Sequence, residues 1–481
     1  MTEVKKLQEL SDLRYRLGYH LMAPSGWIND PNGFCYFKGY YHIFYQYHPY
    51  SSEWGPMHWG HARSRDLLHW ETLPIALTPG DSEDKDGCFS GSAIVKDDVL
   101  YLIYTGNNYY DDGDPEHYWQ NQNLAFSQDG IHFTKYEKNP IIATPPKDNT
   151  KNFRDPKVWE RDGLYYLAVG SQNNDQLGRL LVYRSDDLKT WEYLGAVAKA
   201  ISADEEGYMW ECPDLFRLNG QDFLLTSPQG IVSQAEKYLN IHQSGYFVGE
   251  FDYENNIFRH GQFNELDQGH DFYAPQTMLT PDGRRIAIGW LNMWRSDMPE
   301  QKDGWAGALT LPRELVERVG QIYQQPIAEM KSLRQKTLRE GNISVHNSIE
   351  LVSGYSQLEI NLKMDLQEFQ GTTFTINFED SNSDSKVELK YQREQNKFIL
   401  KRSDRSDARY AKLKMNDQLE IQIFVDKSSL EIFLNQGESV FTDRYYFNGT
   451  PKICLTSEKN NNFDCAVYQL PEKINTYQIC K

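Results

Sequence analysis

"DGLYYLAVG", residues 162–170, decides how the chain folds. It opens on the turn pair Asp162–Gly163 and runs on as aromatic and aliphatic residues, a hairpin turn feeding a strand. The phrase recurs as "KGYYHIFYQ" (38–46), "DDVLYLIYTG" (97–106), "NGQDFLLTS" (219–227) and "DGRRIAIGW" (282–290). Counted from Gly39, Asp98, Gly163, Gly220 and Gly283, the units lie about sixty residues apart. A second phrase, Ser-x-Asp-x-x-x-aromatic, follows in three of them as "SRDLLHW" (64–70), "SQDGIHF" (127–133) and "SDDLKTW" (185–191). Each unit has room for about four short strands with turns between them, the size of one propeller blade. Five units predict a five-bladed β-propeller within residues 1–325, since a large β-sandwich would not repeat so regularly.

In a propeller the first strand of each blade lines the central channel and the second packs outside it. Residues a few positions before each turn therefore occupy equivalent places around one axis. Asp30 of "GWINDPNGF" (26–34), Asp155 of "RDP" and Glu211 of "MWECPD" fall in that register. The second unit brings Phe89 and Ser90 there, and the fifth Asp271 and Tyr273. Taken singly, each stretch reads as a turn or a surface ion pair. Convergence of three carboxylates is different, because clustered like charges repel and raise one another's pKa. That points to catalysis, and two carboxylates flanking a sugar are the usual means of cleaving a glycosidic bond. Glu211, between Trp210 and Cys212, is expected to have the raised pKa of an acid. Asp30, beside Asn29 and Asn32, is expected to stay ionised, and Asp155 to be held as a carboxylate by Arg154.

"WINDPNG" (27–33), "FSGS" (89–92), "RDP" (154–156) and "WECPD" (210–214) resemble the signature motifs of glycoside hydrolase family 32, the β-fructofuranosidases. "DFYAPQ" (271–276) and "WAGALTLPREL" (305–315) are similar to the bacterial intracellular branch of that family, which acts on sucrose 6-phosphate. The resemblance covers nearly the whole chain and implies a propeller followed by a β-sandwich. It implies retention by double displacement, with Asp30 as nucleophile, Glu211 as acid and then base, and Asp155 holding fructose hydroxyls. It also places Trp27, Asn29, Gln46, Trp54, Phe89, Ser90, Arg154, Tyr273 and Trp290 around the sugar. A phosphate on the substrate would need local Arg or Lys donors; Arg295, near Trp290 in sequence, is one candidate.

Composition narrows the alternatives. The 481 residues carry a formal net charge of −18, which argues against nucleic acid and anionic membranes as partners; the small-sugar partner is what the resemblance implies. Aromatics make up 14% of the chain, which suits strands and sugar stacking alike. The first twenty residues contain no apolar run of the kind a signal peptide needs, and no later stretch is long and apolar enough to span a bilayer. Cys35, Cys88, Cys212, Cys454, Cys465 and Cys480 form no CxxC pair, and the 12 His show no ligand spacing. A reduced cytoplasmic protein with no metal, cofactor or disulfide framework is the expectation. Beyond residue 325 the period stops. "PIAEMKSLRQKTLREGN" (326–342) reads as a charged helical linker. From 343 to 481 the alternation in "QLEINLKM", "KVELKYQ" and "QLEIQIFV" predicts a β-sandwich without a catalytic constellation.

Overall fold

The computed structural model describes residues 6–477, so Cys480 lies outside the described residues. Five antiparallel sheets stand around one axis. Their innermost strands are Gly26–Phe37, Gly87–Lys96, Asn149–Arg161, Met209–Leu218 and Tyr273–Leu279. Each is followed through a tight turn by the run singled out in the sequence: Tyr40–His48, Val99–Tyr109, Leu164–Asn173, Gln221–Gln229 and Arg285–Trp290. Inner strands pack side by side around the ring, and the fifth returns to the first. Polar bonds tie neighbours together: Ser92 Oγ donates to the Pro156 carbonyl (2.7 Å), Gly91 N to Asn32 (3.2 Å) and Thr277 N to Asp214 (2.7 Å).

No single core serves the propeller. Apolar layers fill the gaps between neighbouring blades, as Phe44, Trp59 and Leu102 do between the first two and Trp210, Leu224 and Phe247 do in the fourth. The ring is stapled by the chain between the second and third strands of blade five. There Trp305–Ala306 pairs in parallel with Gly26–Trp27, and Leu309 N donates to the Leu21 carbonyl (2.9 Å). The Ser-x-Asp phrase is the turn before the fourth strand. Asp66, Asp129 and Asp187 each accept backbone N–H groups two and three residues on, and the seryl hydroxyl donates to the same carboxylate.

The C-terminal part is a sandwich. Two long strands, Lys336–Val352 and Pro451–Gln469, pair with each other and pass from one sheet to the other. Residues 451–457 lie beside Thr373–Asp380 and residues 464–469 beside Leu358–Asp365. Ile376, Leu389 and Leu400 of one layer meet Ile360, Ile421 and Ile432 of the other. The linker differs from the expected helix. Only Ala328–Leu333 coils, as a short 3-10 turn, and the strand begins at Lys336. The charges of "KTLREGN" that suggested a helix belong to a strand pairing with residues 464–469, its side chains partly in solvent.

Sandwich and propeller are joined by apolar and ionic contacts. Phe424, Phe433 and Val440 enter the layer that also holds Ile28, Ile286 and Leu311. Buried Arg313 of blade five donates to Glu431 and Asp267 (2.5 and 3.0 Å), and buried His20 bridges Asp426 and Glu431 (2.8 Å each).

Candidate active site

The five innermost strands share an irregularity. In each, pairing with the second strand slips at one shared level: between Ile28 and Pro31, Phe89 and Gly91, Arg154 and Lys157, Glu211 and Asp214, and Tyr273 and Gln276, with a further slip in the first and third. A bulge breaks strand alternation and re-aims the side chains beside it. Opposite these slips stand Gln46, Thr105, Gly170, Ser227 and Trp290, each the seventh residue past Gly39, Asp98, Gly163, Gly220 or Gly283. The regular spacing seen in the sequence is therefore a common depth along the channel. At that depth the strands present Asp30, Phe89, Arg154, Glu211 and Tyr273, with Asp155 one residue further in. Asp155 and Cys212 hold left-handed backbone (φ 65° and 48°), each just before a proline. Non-glycine residues there are strained, and such strain concentrates at functional sites.

A cavity of about 380 Å³ opens over this ring. Asn29, Asp30, Gln46, Trp54, Phe89, Ser90, Arg154, Asp155 and Glu211 line it. Asp30 is buried; Ser90 Oγ donates to its Oδ2 (2.7 Å) and Asn29 Nδ2 to its Oδ1 (3.0 Å). Asn29 is oriented in turn by Trp27 Nε1 (2.8 Å). The Cys212 backbone N–H donates to Asp155 Oδ2 (2.9 Å), and its thiol lies 3.5 Å from Asp30 Oδ2 and 3.6 Å from Asp155 Oδ2. One sulfur thus touches two of the three carboxylates. Burial and the surrounding acids push the Cys212 thiol well above its usual range, so it is a proton donor to them.

Arg154 does not do what the sequence suggests. Its guanidinium reaches across to the next blade and donates from Nε and Nη2 to Glu211 Oε1 (2.9 and 2.8 Å), with Asn152 Oδ1 holding Nη1 (2.7 Å). Tyr273 donates its hydroxyl to Glu211 Oε2 (2.5 Å). Protonation expectations invert accordingly. Burial pushes Glu211 up, but Arg154 and Tyr273 outweigh it and hold the carboxyl below its ordinary value. Burial and the nearby charge of Glu211 push Asp155 up to about 7. Burial also raises Asp30, against the pull of Ser90 and Asn29. Of this pair, then, Asp155 is the carboxyl that favours a proton and Glu211 the one held as a carboxylate.

Trp27, Tyr273 and Trp290 do not line the cavity. Trp290 is fully buried, 5.8 Å from Trp27 and 5.0 Å from Trp294 ring to ring, and backs the wall that Trp294 faces. Asp271 turns away from the channel, its Oδ2 accepting from Arg402 and the Arg444 backbone of the sandwich (2.8 Å each). Sequence reasoning missed Asn107, Tyr118, Gln120, Gln229, His242 and Trp294, which line the cavity from the outer ends of second and third strands and the loops after them. For Asn107 and Gln120 a signal existed: runs of Asn and Gln (107–108 and 120–123) inside strands whose other residues are mostly apolar or aromatic. Among the described residues no group of three His, Cys, Asp or Glu side chains is placed to hold a metal ion, and no helix is long and apolar enough to cross a membrane.

Residues 20–326 match the description "glycosyl hydrolases family 32 N-terminal domain", and residues 329–469 match the C-terminal domain of that family. A sucrose-6-phosphate hydrolase of Escherichia coli is 42% identical over 449 residues, spanning 92% of this chain and 91% of that protein. A raffinose invertase of Escherichia coli is 40% identical, spanning 92% of each. Among solved structures, a variant of a Bombyx mori family 32 β-fructofuranosidase in complex with sucrose aligns with a TM-score of 0.87 at 39% identity, over 97% of this chain and 96% of that one.

Proposed function

The chain belongs to glycosyl hydrolase family 32, and from that premise we propose that it cleaves the fructosyl bond of sucrose 6-phosphate by a retaining double displacement. Asp30 attacks the fructosyl anomeric carbon while Glu211 gives its proton to the departing glucosyl oxygen. A covalent fructosyl-enzyme results. Glu211, now ionised, takes a proton from water, the water oxygen displaces Asp30, and fructose leaves with its configuration retained. Carboxylates and water suffice for this chemistry.

The observation that carries the reading is the meeting of Asp30, Asp155 and Glu211 from three blades around one cation, Arg154. Three carboxylates with one partner in a buried site cannot all ionise near neutrality. The retained proton is the one the acid must deliver, and sugar binding explains how Glu211 acquires it. Hydroxyls donating to Asp155 stabilise its ionised form, and the proton passes to Glu211 as the pocket fills. Phe89 and Trp54, ring centroids 6.1 Å apart, offer apolar surface at the mouth for a sugar face.

A phosphorylated sugar is met in the cytoplasm, which is where we place the enzyme. The sequence of the sucrose-6-phosphate hydrolase relative supports the phosphorylated substrate; the structure with sucrose supports a second reading, a general β-fructosidase of free sugars. Measuring kcat/KM for sucrose, sucrose 6-phosphate and a short fructo-oligosaccharide side by side separates them. A preference of tenfold or more for the phosphorylated sugar, about 1.4 kcal/mol of transition-state binding, is expected. Equal turnover of the free sugars would leave the mechanism standing and move the function to the second reading.

A further inference from the structure

Most cations near the catalytic cavity are already engaged. Arg154 is bound to Glu211 and Asn152, Lys151 pairs with Glu116 (3.0 Å) and Lys85 with Asp111 (2.8 Å). Arg295 is not. It is exposed, and among the described residues no carboxylate or hydrogen-bond acceptor pairs with it. Its chain neighbours fix its place. Trp294 lines the cavity, and the Ser296 hydroxyl accepts a hydrogen bond from Arg405 of the sandwich (3.0 Å). The charge of Arg295 acts on His242 and on the half-exposed Tyr208.

Those two residues locate it relative to the chemistry. His242 lines the cavity, its strand position bridged to Gln229. The His242 ring lies 6.1 Å from the ring of Tyr273, which donates to Glu211, and the charge of Glu211 acts on both His242 and Tyr208. Its Nδ1 is buried and has no hydrogen-bond partner. Arg295, His242 and Tyr208 therefore stand on the flank of Glu211. In the mechanism above that is the side from which the sugar departs. An anion approaching this pocket meets the field of Asp30 and Glu211 in a chain of net charge −18, so it is tolerated only where a local cation offsets them.

We propose that Arg295, with His242 and Tyr208 beside it, is the subsite for a phosphoryl group on the leaving sugar, and that it makes the pocket select a phosphorylated disaccharide over the free one. The proposal rests on Glu211 being the acid. An unpaired guanidinium can take a phosphate through two parallel N–H···O bonds, a geometry that lysine lacks.

The test is kcat/KM for sucrose 6-phosphate and for sucrose in the wild-type enzyme, Arg295→Gln and Arg295→Lys. In Arg295→Gln the ratio of the two values should fall at least tenfold, chiefly through a higher KM for the phosphorylated sugar, and Arg295→Lys should recover part of it. Inorganic phosphate, as a probe, should inhibit sucrose hydrolysis by the wild-type enzyme more strongly than by Arg295→Gln. A ratio unchanged in Arg295→Gln, or both substrates losing activity equally, would overturn the proposal. Failure of the wild-type enzyme to cleave either fructoside would instead overturn the mechanism on which it stands.

Discussion

At Asp155 and Glu211 the residue scale shows how neighbours outweigh type. Adjacency in sequence suggested that Arg154 would hold Asp155 ionised, yet the guanidinium crosses to Glu211, because Asn152 and Gln120 turn it toward the next blade. Asp155 is left raised to about 7 by burial and the charge of Glu211. This gives a pH dependence with a definite sign. The free enzyme needs one proton on the trio and an ionised Asp30, so kcat/KM for sucrose should fall as pH rises through about 7, and fall again in acid as Asp30 takes up a proton. The alkaline limb should move upward in kcat, where sugar hydroxyls have shifted the proton to Glu211. In Glu211→Gln, kcat/KM should drop by roughly 10²–10⁴ and the residual rate should lose this limb. A wild-type profile flat from pH 6 to 9 would remove the shared proton from the account. The three carboxylates were legible in the sequence because register marks position; their protonation was not, because it depends on which way one long side chain turns.

Among elements, the blades were legible for a reason that resides in turns. An Asp-Gly or Asn-Gly pair marks where a hairpin reverses; three of them (162–163, 219–220 and 282–283), with Lys38–Gly39 and Asp97–Asp98 in the same register, fix five sheets at even spacing. The bulges at Asp155–Pro156 and Cys212–Pro213 were not legible as bulges, since the same residues read equally well as surface turns. Their consequence is nevertheless large: by slipping the register they aim Asp155 and Glu211 into the channel together. Aromatic positions were less secure. Trp54 and Phe89 reach the cavity, whereas Trp290 lies one layer behind it, opposite Tyr273 on the second strand. Alternation along a strand tells which face a residue takes, not how deep that face lies from the axis. The linker failed for a related reason, because charge in "KTLREGN" marks solvent on either a helix or an edge of a sandwich.

For the whole molecule, the sandwich is fastened to the propeller by buried charge. His20, between Asp426 and Glu431, is held charged: the two carboxylates outweigh its burial and raise it from 6.5 to about 9. A group raised in the folded state stabilises it fully below the unfolded value and loses that contribution as pH climbs through the folded one. Stability should therefore decline between about pH 6.5 and 9 by on the order of 3 kcal/mol. Thermal denaturation across that range should show the decline in the wild-type protein, and His20→Gln should be less stable at pH 6 and lack the slope. An equal slope in the variant would place its origin elsewhere. The mechanism turns on a fructosyl group passing through Asp30. Cleavage of sucrose in aqueous methanol, with the trapped methyl fructofuranoside identified by NMR, reads this directly, since the methyl glycoside cannot mutarotate. Retention by double displacement predicts methyl β-fructofuranoside alone; the α-anomer as product would mean a single inverting displacement and would contradict the assignment of Asp30 as nucleophile.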